Sequence, residues 1–175
     1  MKNILLMVAF VATAFIQKTS GQGVVCNAEQ PIQDVITYYL RVKNSLTKDN
    51  GDSVRTAAKN LYSIIESVPM EKLGTAEYKV WMQYQKKLSS DAAHMGGTSE
   101  LEHQREHFMK LSDNFYKMVK ALNTNTTDLY YQFCPMANDG KGAYWVSEKQ
   151  AIANPYFGKR MMTCGSTKET IKGKP

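Results

Sequence analysis

The chain has 175 residues, of which 43% are hydrophobic and 22% charged, with a formal charge of +6, three Cys and ten Met. This apolar content excludes a disordered chain, the length suits one ordinary domain, and three cysteines are too few for a disulfide-built mini-scaffold. The basic residues are interspersed with carboxylates and form no stripe, which speaks against nucleic acid or a membrane surface as a partner.

Residues 1–21 read as a secretory signal. Lys2 is the charged start, Ile4 to Ile16 is an apolar run, and Thr19-Ser20-Gly21 is a small-residue end. Thirteen apolar residues are too few to span a bilayer comfortably. Residues 22–175 are therefore expected to form one exported domain in the periplasm or cell envelope, with no transmembrane helix. Loss of Lys2 and Lys18 lowers the formal charge from +6 to +4. Export places the thiols in an oxidising compartment, where they pair, bind metal or are kept reduced. Cys26 follows Gly23-Val24-Val25, a poor match to a lipid-attachment box.

Residues 31–122 carry helical periodicity almost throughout. Pro31 suits a first helical turn, and Ile32, Val35, Ile36, Tyr39, Leu40 and Leu46 mark one apolar stripe. Asp49-Asn50-Gly51 signals a turn. A second stripe runs Val54, Ala58, Leu61, Ile65, Val68 and stops at Pro69; a third runs Leu73, Ala76, Val80, Tyr84, Leu88, Ala92. Gly96-Gly97 breaks the chain, and Ser99 with Glu102 three residues on is a capping-box pattern. Leu101, Phe108, Phe115 and Leu122 then recur every seven residues, with Leu111 and Met118 between them. Four such helices with short connections predict a mainly α, up-down four-helix bundle.

After Asn123 the pattern changes. Tyr130, Tyr131, Phe133, Tyr144, Trp145, Tyr156 and Phe157 alternate with Asn, Gly and Pro turn signals. The expectation is an irregular, aromatic-rich tail over about 123–172, holding short extended segments packed on the bundle. The sequon at Asn125-Thr126-Thr127 reads as loop.

The chemistry concentrates in that tail. Cys134-Pro135-Met136 and Met161-Met162-Thr163-Cys164 offer two thiols and up to three thioethers. These soft donors select Cu(I), whereas Met is a poor zinc ligand. Spacing alone leaves a second reading open: a structural Cys134–Cys164 disulfide, worth about 3 kcal/mol in the chain-entropy model, with the methionines as core filler. His94, beside Met95 and just before the Gly pair, is a further donor candidate. His103 and His107 share a helix face, but Glu102, Arg105 and Glu106 around them read as a solvated surface. No nucleophile elbow, P-loop, dinucleotide fingerprint or zinc-protease signature occurs, so a binding protein is expected and not an enzyme.

The run Cys134-Pro135-Met136-Ala137, Gly142-Ala143-Tyr144-Trp145-Val146-Ser147, Asn154-Pro155-Tyr156-Phe157-Gly158, Met161 and Cys164-Gly165, with Glu102 to Phe108 upstream, resembles the domain of unknown function 3347 family over about residues 32–172. The resemblance implies an exported helical domain, frequent in Bacteroidetes-type bacteria, found alone or attached to periplasmic adaptor subunits of heavy-metal efflux pumps. It implies copper or silver handling by Cys134, Met136, Met161 and Cys164, with His94 and His107 at positions where histidine often occurs. An efflux adaptor is the implied partner.

Overall fold

The computed structural model describes residues 30–174. The signal segment 1–21 and Cys26 lie outside the described residues. Four helices come first: α1 Gln30–Leu46, α2 Gly51–Glu66, α3 Thr75–Gly96 and α4 Leu101–Leu122. Three strands follow: β1 Leu129–Cys134, β2 Ala143–Ser147 and β3 Ser166–Ile171. The architecture is thus mainly helical with a small antiparallel sheet.

The predicted stripes form the core. Ile32, Val35, Ile36, Tyr39 and Leu46 of α1 are buried, as are Val54, Ala58, Leu61 and Ile65 of α2 and Phe108, Leu111, Phe115, Met118 and Leu122 of α4. Helix α3 departs from the expectation. Its buried face is Trp81, Tyr84, Leu88, Ala92 and Met95, whereas Ala76 is exposed and Leu73 and Val80 are half-buried. Counted from Trp81, the buried positions recur after three, seven, eleven and fourteen residues, the spacing of one helix face. The large indole anchors that face, and the first turn of α3 projects beyond it.

The α1–α2 turn follows its sequence signal. Asp49 adopts a left-handed conformation (φ 55°), and the Asn50 side chain caps α2 by accepting the Ser53 N–H at 2.9 Å. The Ser99–Glu102 capping box is not formed. Glu100 occupies the N-cap of α4 without a side-chain cap, and its N–H donates to Thr98 Oγ1. A longer-range bond prevails here. The amide of Gln104, fully buried, donates from Nε2 to the carbonyls of Gly51 (3.0 Å), Met95 (3.4 Å) and Thr98 (2.6 Å).

The tail is more regular than the sequence suggests. Its strands pair in the order β2-β1-β3, with Gln132 opposite Trp145 on one side and Leu129 opposite Ile171 on the other. Strand β3 lacked a signal because its side chains alternate between exposed and half-buried polar residues until Ile171. Strand β2 packs against α1 and α4, burying Trp145 and Val146. Tyr39 of α1 stacks on Phe115 of α4 at 3.7 Å between centroids. Its hydroxyl meets Ser112 Oγ at 2.7 Å and accepts the Val146 N–H at 3.1 Å. Burial holds that hydroxyl well above the ordinary tyrosine pKa, so it remains a neutral bridge between helix and strand.

The segment Asn154–Gly158 ties the tail to the helices. Asn154 Oδ1 accepts the N–H groups of Tyr156 and Phe157, and its Nδ2 donates to the Cys164 carbonyl at 2.8 Å. Arg105 of α4 donates to the Pro155 carbonyl from Nε (3.0 Å) and to Asp49 from its guanidinium. Burial works against the Asp49 carboxylate, but the Lys159 N–H and Arg105 outweigh it and hold its pKa below the usual range. Gly158 has φ +54°, and a Cβ there would stand 2.0 Å from Asp49 Oδ1. Gly158→Ala is therefore expected to cost well over 1 kcal/mol, measured by urea denaturation. Gly140→Ala, also at positive φ but with nothing within 4 Å, should cost less, since only backbone strain is added.

The Asn125 sequon is a structural anchor. Asn125 is buried, and its amide donates to the carbonyls of Thr127, Ile171 and Lys172.

Candidate metal centre

Helix α3 ends at Gly96 and α4 begins at Leu101. So short a connection folds the last turn of α3 back beside the first turns of α4. His94 then lies opposite His103 and His107, which are four residues apart and share a face. The three imidazoles converge, with one ring nitrogen from each within 4.8 Å of the others. The His94 and His107 rings stack at 4.4 Å, and His103 lies 4.7 Å from His107 between centroids.

Asp91, one turn before His94, supports the cluster from below. Its Oδ1 lies 3.0 Å from His107 Nδ1, and both side chains are largely buried. With Nδ1–H donated to the carboxylate, the His107 tautomer is set and Nε2 is the nitrogen left to bind. This is the arrangement by which outer carboxylates orient metal-binding histidines. His94 and His103 are exposed and border a recess of about 410 Å³ completed by Ala93, Gly97 and Thr98. The electronegative C-terminal end of α3 favours a cation near His94. Tetrahedral ligands at about 2.0–2.1 Å from an ion stand about 3.3 Å apart. The His94 and His107 rings are nearly parallel, 5° apart, so the exposed His94 ring would have to turn for its in-plane lone pair to meet that of His107 on one ion.

The expected sulfur site is assembled only in part. Cys134, at the end of β1, is buried, and its Sγ lies 3.1 Å from that of Cys164. The hydrogen bond with Cys134 raises the Cys164 pKa. Met136 is 54% exposed and lines a different cleft, with Glu102, Glu106, Met109 and Arg160. Met161 and Met162 are half-buried. Among the described residues, His94, His103 and His107 are the one group of three or more His, Cys, Asp or Glu donors within ligating reach, and neither cysteine belongs to it. His94 thus meets His107, and neither tail cysteine joins them. His103, read from sequence as a solvated surface residue, joins the cluster.

A family model described as protein of unknown function (DUF3347) matches residues 35–127. The chain belongs to this family. The matched span covers α2, α3 and α4, most of α1, and therefore all three histidines and Asp91. It ends before β1, so the cysteine-bearing tail lies outside it in this DUF3347 member. Neither a curated protein nor a solved structure matches the chain.

Proposed function

We propose that this DUF3347 protein is exported to the periplasm or cell envelope and binds a transition-metal ion, copper foremost, without catalysing a reaction. The observation that carries the reading is the convergence of His94, His103 and His107 within 4.8 Å. Imidazole suits copper and zinc alike. Copper is preferred over zinc because the thiols have methionines beside them in sequence, Met136, Met161 and Met162, and thioether is a poor zinc ligand. The role would be sequestration or delivery to an efflux adaptor. The short helix connections support an up-down course for the four helices, with the site at one end of the α3–α4 hairpin.

The cysteine pair supports a second reading. The two free thiols, 3.1 Å apart between sulfurs, stand where a shift together would make a Cys134–Cys164 disulfide and a shift apart a two-thiolate Cu(I) or Ag(I) site, with Met136 or Met161 swinging in. Alkylation of unreduced protein followed by mass analysis decides between thiol and disulfide.

One titration separates the two metal sites. Reduced protein is titrated with Cu(I) against a competing chelator, alongside His94→Ala, His107→Ala and Cys134→Ser. The expected result is a large loss of affinity in both histidine variants and little change in Cys134→Ser. Loss in Cys134→Ser alone would transfer the site to the sulfurs. Affinity that is millimolar or absent would end the metal reading.

A further inference from the structure

We infer that the three-histidine site is coordinatively open: an ion held there keeps one position for an exchangeable ligand from outside the chain, such as a small anion. The inference rests on the metal reading above and adds what kind of site it is.

Four observations carry it. First, among the described residues the His, Cys, Asp and Glu donor group holds three histidines, one short of the four that closed tetrahedral sites such as structural zinc use. Second, the carboxylate bonded to the cluster is already engaged. Asp91 Oδ1 is bonded to His107 Nδ1 and lies outside the mutually close donor group, so it orients a ligand and does not serve as one. Third, neither cysteine belongs to the donor group among the described residues, and Met95, the next residue after His94, is fully buried in the helical core. Fourth, the donors are unequal in burial. His107 is held on the inner side by Asp91, whereas His94 and His103 are exposed at the rim of the recess. An ion seated on the three nitrogens would therefore face solvent on the side away from Asp91.

The chemical consequence is lability. A site closed by four protein ligands holds its metal as a structural element, while three ligands and an open face leave room for an incoming donor. Ligand exchange at the open position forms one metal–ligand bond and releases one solvent molecule, with no change of oxidation state. An incoming donor that adds to the ion before the histidines leave is the route by which an ion passes between proteins. The site is thus built for exchange more than for storage, and Asp91 is its positioning residue.

Purified protein is loaded with Co(II), whose visible bands report coordination, and azide is then added. Saturable change in position and intensity of the bands is expected. Asp91→Ala should weaken Co(II) binding roughly 10–100-fold while leaving the azide response of the loaded protein in place, because Asp91 lies behind His107 and not at the open face. Asp91→Asn, which retains an acceptor for Nδ1–H, should recover part of the lost affinity. Co(II) bands that form normally and ignore azide would show a closed site and overturn the inference while leaving the metal reading intact. Absence of any Co(II) bands, together with no Cu(I) binding, would overturn both. Loss of the azide response in Asp91→Ala would also count against it, since that would place Asp91 at the open position.

Discussion

Glu148→Ala is expected to destabilise the protein by up to about 3 kcal/mol, the low end of the range for stranding one member of a buried ion pair, because Lys43 is buried but the Glu148 side chain is 28% exposed. Lys43 of α1 is 1% exposed, and its Nζ lies 2.8 Å from Glu148 Oε2. Asn44 donates to the other carboxylate oxygen at 2.9 Å, and Ser147 Oγ lies 3.5 Å from Nζ. Burial lowers the Lys43 pKa despite the partner beside it, which shows how much the ammonium depends on Glu148. Burial opposes the Glu148 charge too, but Lys43 and Asn44 outweigh it and hold its pKa below the usual range. The sign follows from that depression. Glu148 contributes stability above the unfolded carboxyl pKa and loses it as pH falls through the lower folded value. Wild type should thus lose more stability on acidification than Glu148→Ala does. Lys43→Met removes the buried charge and leaves Glu148, whose side chain is 28% exposed and still bonded to Asn44, in reach of water, so its cost should be smaller. Urea denaturation of both variants across pH 3–7, an ordinary acid-titration window for carboxyls, checks the claim. Equal losses in Glu148→Ala and Lys43→Met would show that packing, not charge, is at stake.

The helices were legible because burial there follows one face of each, as Val54, Ala58, Leu61 and Ile65 illustrate. Other features depended on contacts distant in sequence. The Ser99–Glu102 pattern is locally sound, yet Gln104 reaches Gly51 across the fold and shapes the turn instead. Strand β3 is a polar edge whose pairing is set by β1, so its own residues carry little sign of it. The candidate site shows the same division. His103 and His107 stand four apart on one helix and can be paired from sequence. That His94 meets them is a matter of hairpin register between α3 and α4. The signal that sequence does hold is Asp91-x-x-His94 on one helix and His103-x-x-x-His107 on the next, separated by a glycine break; read as two facing turns, it points to all four residues. Cys134 and Cys164 lie side by side, whereas Met136 is exposed on the loop after β1, a difference of backbone course that spacing does not carry.

Gln104→Glu is expected to cost about 3 kcal/mol and to weaken metal binding without touching a ligand. Gln104 is fully buried, and its Nε2 is the shared donor for the carbonyls of Gly51, Met95 and Thr98. Buried acceptors stripped of a donor each cost roughly 1–3 kcal/mol, and a carboxylate placed among them adds repulsion and desolvation. Two of those carbonyls, of Met95 and Thr98, frame the turn that returns the chain from His94 toward His103; the third fastens the turn to the start of α2. There, a Cβ on Gly51 would stand 1.9 Å from the Ser99 carbonyl oxygen, so the two segments pack without spare room. Opening this turn moves His94 away from His103 and His107. A glutamate here would have a raised folded pKa, because its neutral form can donate where its charged form cannot. Its penalty is therefore present above that folded pKa and relieved as pH falls below it. The variant should regain stability relative to wild type on mild acidification, the opposite trend to the Glu148 pair. Gln104→Met, apolar and similar in length, lacks the donor at every pH and should show no such recovery. Parallel denaturation curves for the Glu and Met variants at all pH values would refute the assignment of the Gln104 amide as the clasp that holds the histidines together.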